Sequence, residues 1–389
     1  MQELREIVEA IKSSQAARKR SALATVVAVV GSAYRREGAK MWIDETGATI
    51  GTISGGCLEA DVTETALQVM ETGKAIVKPY VMDEELVWGL GLGCPGTVEI
   101  AIEPIPLHRE EDPAFFQWLA AIDEGRPAVL ATLLDDGHGK NETYQQGRTF
   151  IPENGLPTGN VGERAWNRMA LELGRELLAL QQAKAGTYAV ERSDGSSARL
   201  FLDVYMPPIE LMIFGAGHDA LPLAKMGSQL GFSVTVVDPR PAYNSAERFP
   251  GANRLLLDPC FVADEIPIHS RTYIVIMNHH LERDRAALAH ALSSCSSYIG
   301  VLGPRKRCER LLRAIEAAGH SWKAERLTYL HNPVGLDIGA ETAEEIAFSI
   351  ITEVLAVRNS HKGGLLRESV QIHHTFSATQ SFPLRSQSL

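Results

Sequence analysis

Phe214-Gly215-Ala216-Gly217-His218-Asp219-Ala220 follows directly on the apolar run Leu211 to Phe214 and opens a helical stretch. This is the G-x-G-x-x-A form of a phosphate-binding strand-to-helix turn. Gly215 would permit the tight turn, Gly217 would let a phosphate approach the backbone, and Ala220 would let the helix pack closely on its strand. The helix N-terminus, with His218 beside it, offers unpaired N–H groups to an anion. The next apolar run, Ser233 to Val237, ends at Asp238, where such folds place an acid for a ribose hydroxyl, and Arg240 two residues on is suited to a phosphate instead. Asp219 works the other way: in the first helical turn its carboxylate favours the helix but repels a pyrophosphate.

Further short apolar runs at Tyr273 to Met277 and Ser297 to Val301 alternate with helical segments, the last of which opens at Thr342 with Glu345 three residues on, a capping-box pairing. Regular alternation predicts a parallel sheet covered on both faces. The fold class is therefore α/β, with a Rossmann-type doubly wound parallel sheet over 207–358. Pro207-Pro208 marks its boundary, and a Ser-, Gln- and His-rich tail over 359–389 is expected to be mobile.

The first 206 residues read as a mixed α+β domain. Strands are expected at Ala22 to Val30, Lys40 to Ile43, Thr49 to Ile53, Ile76 to Val81, Val98 to Ile102 and Ala128 to Leu134. Helices are expected at Leu58 to Glu71, Pro113 to Glu124 and Ala165 to Gln182. The Gly-, Asn- and Gln-rich stretch Asp135 to Gly162 reads as loop, and Ser193-Asp194-Gly195-Ser196 as a hairpin turn between strands. In Gly51-Thr52-Ile53-Ser54-Gly55-Gly56-Cys57-Leu58-Glu59 a strand ends, two glycines turn, and Cys57 falls at the start of a helix. A thiol there is suited to metal binding or sulfur chemistry; a structural cysteine beside a packing turn is the competing reading. The second cysteine loop, Trp88 to Gly96 around Cys94, is dense enough in glycine to form an anion nest, although Pro95 removes one donor.

Bulk properties narrow the options. The 389 residues suit two cores, and 38 Lys plus Arg against 48 Asp plus Glu argue against a nucleic-acid or anionic-membrane surface. No apolar run approaches a membrane span and no signal pattern opens the chain, so a cytoplasmic location is expected. Five widely spaced cysteines indicate neither a disulfide framework nor a zinc ribbon. Motifs of zinc proteases, P-loop NTPases and α/β-hydrolases are absent.

Together these segments resemble the XdhC/CoxI family of accessory factors for molybdenum hydroxylases. The resemblance rests on Gly31-Ser32-Ala33-Tyr34-Arg35-Arg36-Glu37-Gly38-Ala39-Lys40-Met41, Ile53 to Glu59, Phe214 to Ala220, Val237-Asp238-Pro239-Arg240, Tyr298 to Gly303, and Pro333 to Ala340. Pro95, Pro304, Ala343 and His280 depart from the family's usual residues. The resemblance implies a chaperone that binds molybdenum cofactor (molybdopterin), protects it during sulfuration, and delivers it to an apo molybdenum hydroxylase of the xanthine dehydrogenase type. A cysteine desulfurase is a candidate second partner, and a homo-oligomer is left open. Cys57, with Gly55, Gly56 and Glu59 around it, is the implied cofactor contact and molybdenum ligand. The alternative is an NAD(P)-dependent oxidoreductase using Gly215, Gly217, His218, Ala220 and Asp238, with His279 as acid or base.

Overall fold

The computed structural model describes residues 2–31, 33–82, 96–135, 143–144, 147–180, 183–191, 197–262, 265–365 and 367. Cys94 and its loop, the turn at Ser193 to Ser196 and the tail beyond 367 lie outside the described residues. The chain divides into two compact units at Pro207/Pro208.

In the first unit, α1 (Gln2–Ala16) leads into β1 (Ser21–Gly31), β2 (Lys40–Asp44), β3 (Thr49–Gly51), α2 (Glu59–Thr72), β4 (Ala75–Met82) and β5 (Gly96–Pro104). There follow α3 (Pro113–Asp123), β6 (Ala128–Asp135), β7 (Thr143–Tyr144), β8 (Arg148–Pro152), β9 (Thr158–Asn160), α4 (Arg164–Ala179), β10 (Gly186–Glu191) and β11 (Ser197–Tyr205). Among the described residues these strands form two sheets, ordered β3-β2-β1-β5-β4-β7 and β10-β11-β6-β8-β9. Side-chain alternation along β1 explains the layering. Ala22, Ala24 and Val26 pack with Val62, Ala66 and Val69 of α2, whereas Val27 meets Phe201 and Leu134 of the other sheet. The outer face of that second sheet is covered by Trp166, Ala170, Leu173 and Leu177 of α4.

The expectation of loop from Asp135 to Gly162 is overturned, because β8 and β9 lie inside it and β8 pairs with β6 from Ala128↔Pro152 to Thr132↔Arg148. Apolar periodicity misses β8 because one of its buried residues is charged. Arg148 is 3% exposed on its side chain and forms ion pairs with Glu103 of β5 and with Asp112, the N-cap of α3. Its ring neighbour is Phe115, 5.3 Å from the guanidinium carbon. Lys40 of β2 and Asp203 of β11 make a second pair between the sheets at 2.6 Å.

The second unit runs β12 (Glu210–Phe214), α5 (Ala220–Gln229), β13 (Ser233–Val237), β14 (Asn253–Leu255), α6 (Pro259–Val262), β15 (Thr272–Ile276) and α7 (Leu281–Ser293). It ends with β16 (Tyr298–Val301), α8 (Arg305–Ala317), β17 (Leu330–His331) and α9 (Ala343–Arg358). All neighbouring strands are parallel, in the order β14-β13-β12-β15-β16-β17. Counted within the unit this is 3-2-1-4-5-6, the doubly wound dinucleotide-fold order. Leu211, Ile213, Tyr273 and Val275 face α5 and α9, while Met212, Phe214, Ile274 and Ile276 face α7 and α8, so each strand is buried on both sides. The capping box opening α9 is as expected: Glu345 N–H donates to Thr342 Oγ1 at 3.2 Å and Thr342 N–H to Glu345 Oε2 at 3.0 Å.

Candidate cofactor-binding site

Two regions carry the residues singled out in the sequence, one in each unit. In the first, the chain leaves β3 and turns through Gly55 and Gly56 (φ +77° and +114°) before α2 begins at Glu59. Both values lie where an L side chain is strained, which is why two glycines stand there. A Cβ on Gly55 would also come within 3.1 Å of the Tyr34 ring, so that ring lies directly over the turn.

Cys57 does not open the helix; it precedes the cap residue Leu58, is exposed, and forms no disulfide. The donors of this loop converge on Glu59. Glu59 Oε1 accepts from Thr52 Oγ1 at 2.8 Å, Ile53 N at 3.2 Å and Ser54 N at 2.8 Å. Its Oε2 accepts from Ser54 Oγ, Gly56 N at 2.9 Å and Leu58 N at 3.2 Å. Six donors on one carboxylate leave it no room to contact a ligand. Glu59 is thus the internal anion that shapes the loop displaying Cys57.

Burial pushes the Glu59 carboxyl upward, but the hydrogen bonds from Ser54 and Thr52 outweigh it and hold the group at about 2, against 4.5 ordinarily. Because the folded value is depressed, the stabilisation is full above the unfolded value and is lost as pH falls toward 2. At 1.36 kcal/mol per unit the shift corresponds to roughly 3 kcal/mol, which solvent at this half-exposed loop reduces to about 2. Glu59→Gln should therefore lower stability by about 2 kcal/mol at pH 7, with the gap to wild type narrowing as melting is followed from pH 6 to pH 3. A gap independent of pH would show that the carboxylate charge is not what holds the loop.

In the second unit, β12 and β15 are neighbours whose connections leave in opposite directions, which opens a crevice at their carboxyl ends. The Gly215 to Asp219 turn and the Asn278 to His280 loop meet there. Ala220 is fully buried as the first residue of α5, and His218 is exposed on the turn. His279, held at φ +55°, places Nε2 3.1 Å from Asp219 Oδ2. The His280 ring caps α7 by accepting from Arg283 N–H at 3.4 Å.

The ribose role expected of Asp238 does not fit this geometry. Asp238 is 1% exposed, and its Oδ2 accepts from Ala216 N at 2.9 Å and from Arg240 Nη2 at 2.7 Å. Its Oδ1 accepts from Arg240 N and Nε, each at 2.9 Å. Those four bonds fill the usual acceptor positions of a carboxylate. Arg240 in turn stacks on Tyr243 at 4.1 Å. Burial raises the Asp238 carboxyl, and the bonds from Arg240 and Ala216 more than offset it and bring it below the ordinary value. Asp238 braces the glycine turn from within.

Among the described residues no cluster of three or more His, Cys, Asp or Glu could hold a metal ion, and no helix is long and apolar enough to cross a membrane. The sequence reading missed the Tyr34 ring on Gly55, although Tyr34 stands in one of the quoted motifs; its 69% exposure is a property of the folded loop.

Residues 211–354 match the XdhC Rossmann domain, and residues 14–80 match the XdhC and CoxI family. A protein of Bacillus subtilis (strain 168) described as a probable xanthine dehydrogenase component is 31% identical over 339 residues, covering 86% of this chain and 92% of that protein. The "molybdenum cofactor insertion chaperone PaoD" of Escherichia coli (strain K12) is 25% identical over 362 residues, 91% of this chain and 87% of its own length. A crystal structure described as a xanthine dehydrogenase from Bacillus halodurans has a TM-score of 0.68 at 27% identity, covering 92% of this chain and 96% of that one. Matches in both units, in the order of the two loops just described, leave one conclusion: the chain belongs to the XdhC and CoxI family.

Proposed function

We propose that this chain is an accessory protein that holds molybdenum cofactor at the Cys57 loop while its terminal sulfur ligand is installed, and then passes it to a molybdenum hydroxylase. The observation that carries the reading is an exposed, unbridged thiol on a loop locked by Glu59. A lone thiol suits a metal that arrives already chelated by an organic cofactor better than it suits a bare ion, which needs several protein ligands. The cofactor, when bound, supplies the metal centre and its exchangeable terminal sulfur position.

The chain's own contribution is display and release. Gly55 and Gly56 allow the turn before the thiol, the Tyr34 ring lies over Gly55, and Glu59 ties the loop backbone together. An exposed site admits both a sulfur donor, for which a cysteine desulfurase is the fitting class, and the recipient enzyme. The names of the two relatives, one an insertion chaperone and the other a xanthine dehydrogenase component, support this reading. The oxidoreductase alternative gains no support, because Asp238 is committed to Ala216 and Arg240.

Cys57→Ser tests the proposal. The exposed substitution should change stability by less than about 0.5 kcal/mol while abolishing retention of molybdenum after desalting, measured by elemental mass spectrometry. Normal retention in a folded Cys57→Ser protein would remove Cys57 from the role.

A further inference from the structure

A groove of about 340 Å³ is lined by Glu3, Leu4 and Ile7 of α1 and by Arg35 to Lys40 of the segment between β1 and β2. That volume lies within the range of small-molecule sites. Accounting for its charges leaves one group unclaimed. Arg35 is held by Glu3 through two bonds, at 3.1 and 2.7 Å. Lys40 is buried against Asp203 at 2.6 Å and Gly38 O at 3.2 Å. The Glu37 carboxylate accepts from Val29 N at 3.1 Å. Arg36 is exposed, and its guanidinium has no ion pair or hydrogen bond among the described residues. The Arg35–Glu3 pair fixes the backbone immediately before it.

This groove adjoins the Cys57 loop through Tyr34. The Tyr34 ring lies on Gly55, two residues before Cys57, and Arg36 is two residues after Tyr34. One continuous segment therefore carries an aromatic face at the thiol loop and an unpaired guanidinium at the groove. Two residues of chain span at most roughly 7 Å, and less through the bend at Tyr34 and Arg35, so the ring and the guanidinium leave the backbone close together.

Resting on the reading of the Cys57 loop given above, we infer that Arg36 binds the terminal phosphate monoester of the cofactor while the exposed Tyr34 ring flanks its pterin. A guanidinium matches a phosphate with two parallel N–H bonds. An aromatic face offers a flat heterocycle a stacking surface without fixing its orientation. The cofactor would then be held at two ends, by Cys57 at the metal and by Arg36 at the phosphate.

The experiment uses the full chain, with cofactor released from a molybdoenzyme and the same preparation treated with phosphatase. Wild type should bind the phosphorylated form at least about tenfold more tightly, the ordinary worth of one charge-assisted pair. Arg36→Ala should erase that preference without weakening the dephosphorylated form, and Arg36→Lys should restore part of it. Tyr34→Ala should weaken both forms alike. An Arg36→Ala protein that keeps the wild-type preference overturns the phosphate assignment while leaving the Cys57 proposal intact. Failure of wild type to bind either form overturns both.

Discussion

Replacing Arg148 by Ala should destabilise the first unit by about 3–5 kcal/mol, because it takes their shared, buried cation from the largely covered carboxylates of Glu103 and Asp112. Burial pulls Arg148 down to about 10, still cationic at neutral pH, so the charge is present to be lost. The cost should come from the abandoned carboxylates more than from the missing pair itself. Arg148→Met combined with Glu103→Gln and Asp112→Asn should therefore recover a large part of the loss. Asn at 112 can still accept the cap bond that Asp112 takes from Phe115 N at 3.0 Å. Denaturant melts of the single and triple variants decide the matter, and a triple variant no more stable than Arg148→Ala would show that packing, not charge, sets the penalty.

Gly215→Ala should cost the second unit about 3–5 kcal/mol, the sum of a positive-φ penalty and backbone overlap. At φ +115° an added Cβ would lie 2.6 Å from Met277 O and 2.8 Å from Asn278 Cα. Those are backbone atoms of the adjoining strand end, which cannot swing aside. Gly217→Ala is the internal control, since its Cβ would meet nothing nearer than His279 Cδ2 at 3.8 Å. It should change stability by about 1 kcal/mol or less. Because two units need not melt together, hydrogen exchange resolved to peptides of β12 and β15 is the measurement. Equal protection in the two variants would contradict the close-approach argument for Gly215.

The contrast between these glycines bears on function too. Gly215 is spent on bringing the turn against β15, whereas Gly217 leaves space above α5. That space is bordered by Asp219 and His279, 3.1 Å apart, rather than by cations. The turn has the glycine pattern of a Rossmann domain, with an acid at the helix end and a second acid already braced by Arg240.

What was legible in sequence was whatever depends on periodicity and local chemistry. Runs such as Leu211 to Phe214 and Tyr273 to Met277 are apolar at every position because both faces of a parallel sheet are covered, and that pattern survives without any knowledge of partners. The glycines at 55, 56 and 215 and the Thr342–Glu345 cap were legible because a positive-φ turn and a capping box are written in a few consecutive residues, although the close approach of Gly215 to Met277 was not. Cys57 stood out by its neighbours Gly55, Gly56 and Glu59.

Only the tertiary structure decided where each polar group points. Asp238 lies at the spacing of a ribose-binding acid, yet its lone pairs face Ala216 and Arg240; Glu59 lies beside the candidate ligand, yet faces the backbone of its own loop. Arg148 makes β8 look like loop because its partners, Glu103 and Asp112, are 45 and 36 residues away. A charge is read from sequence as solvent-facing until the fold brings its counterion to it. Burial of apolar groups is nearly non-directional and so leaves its mark in pattern, whereas hydrogen bonds and ion pairs depend on angles and distances that exist only once the chain has closed on itself.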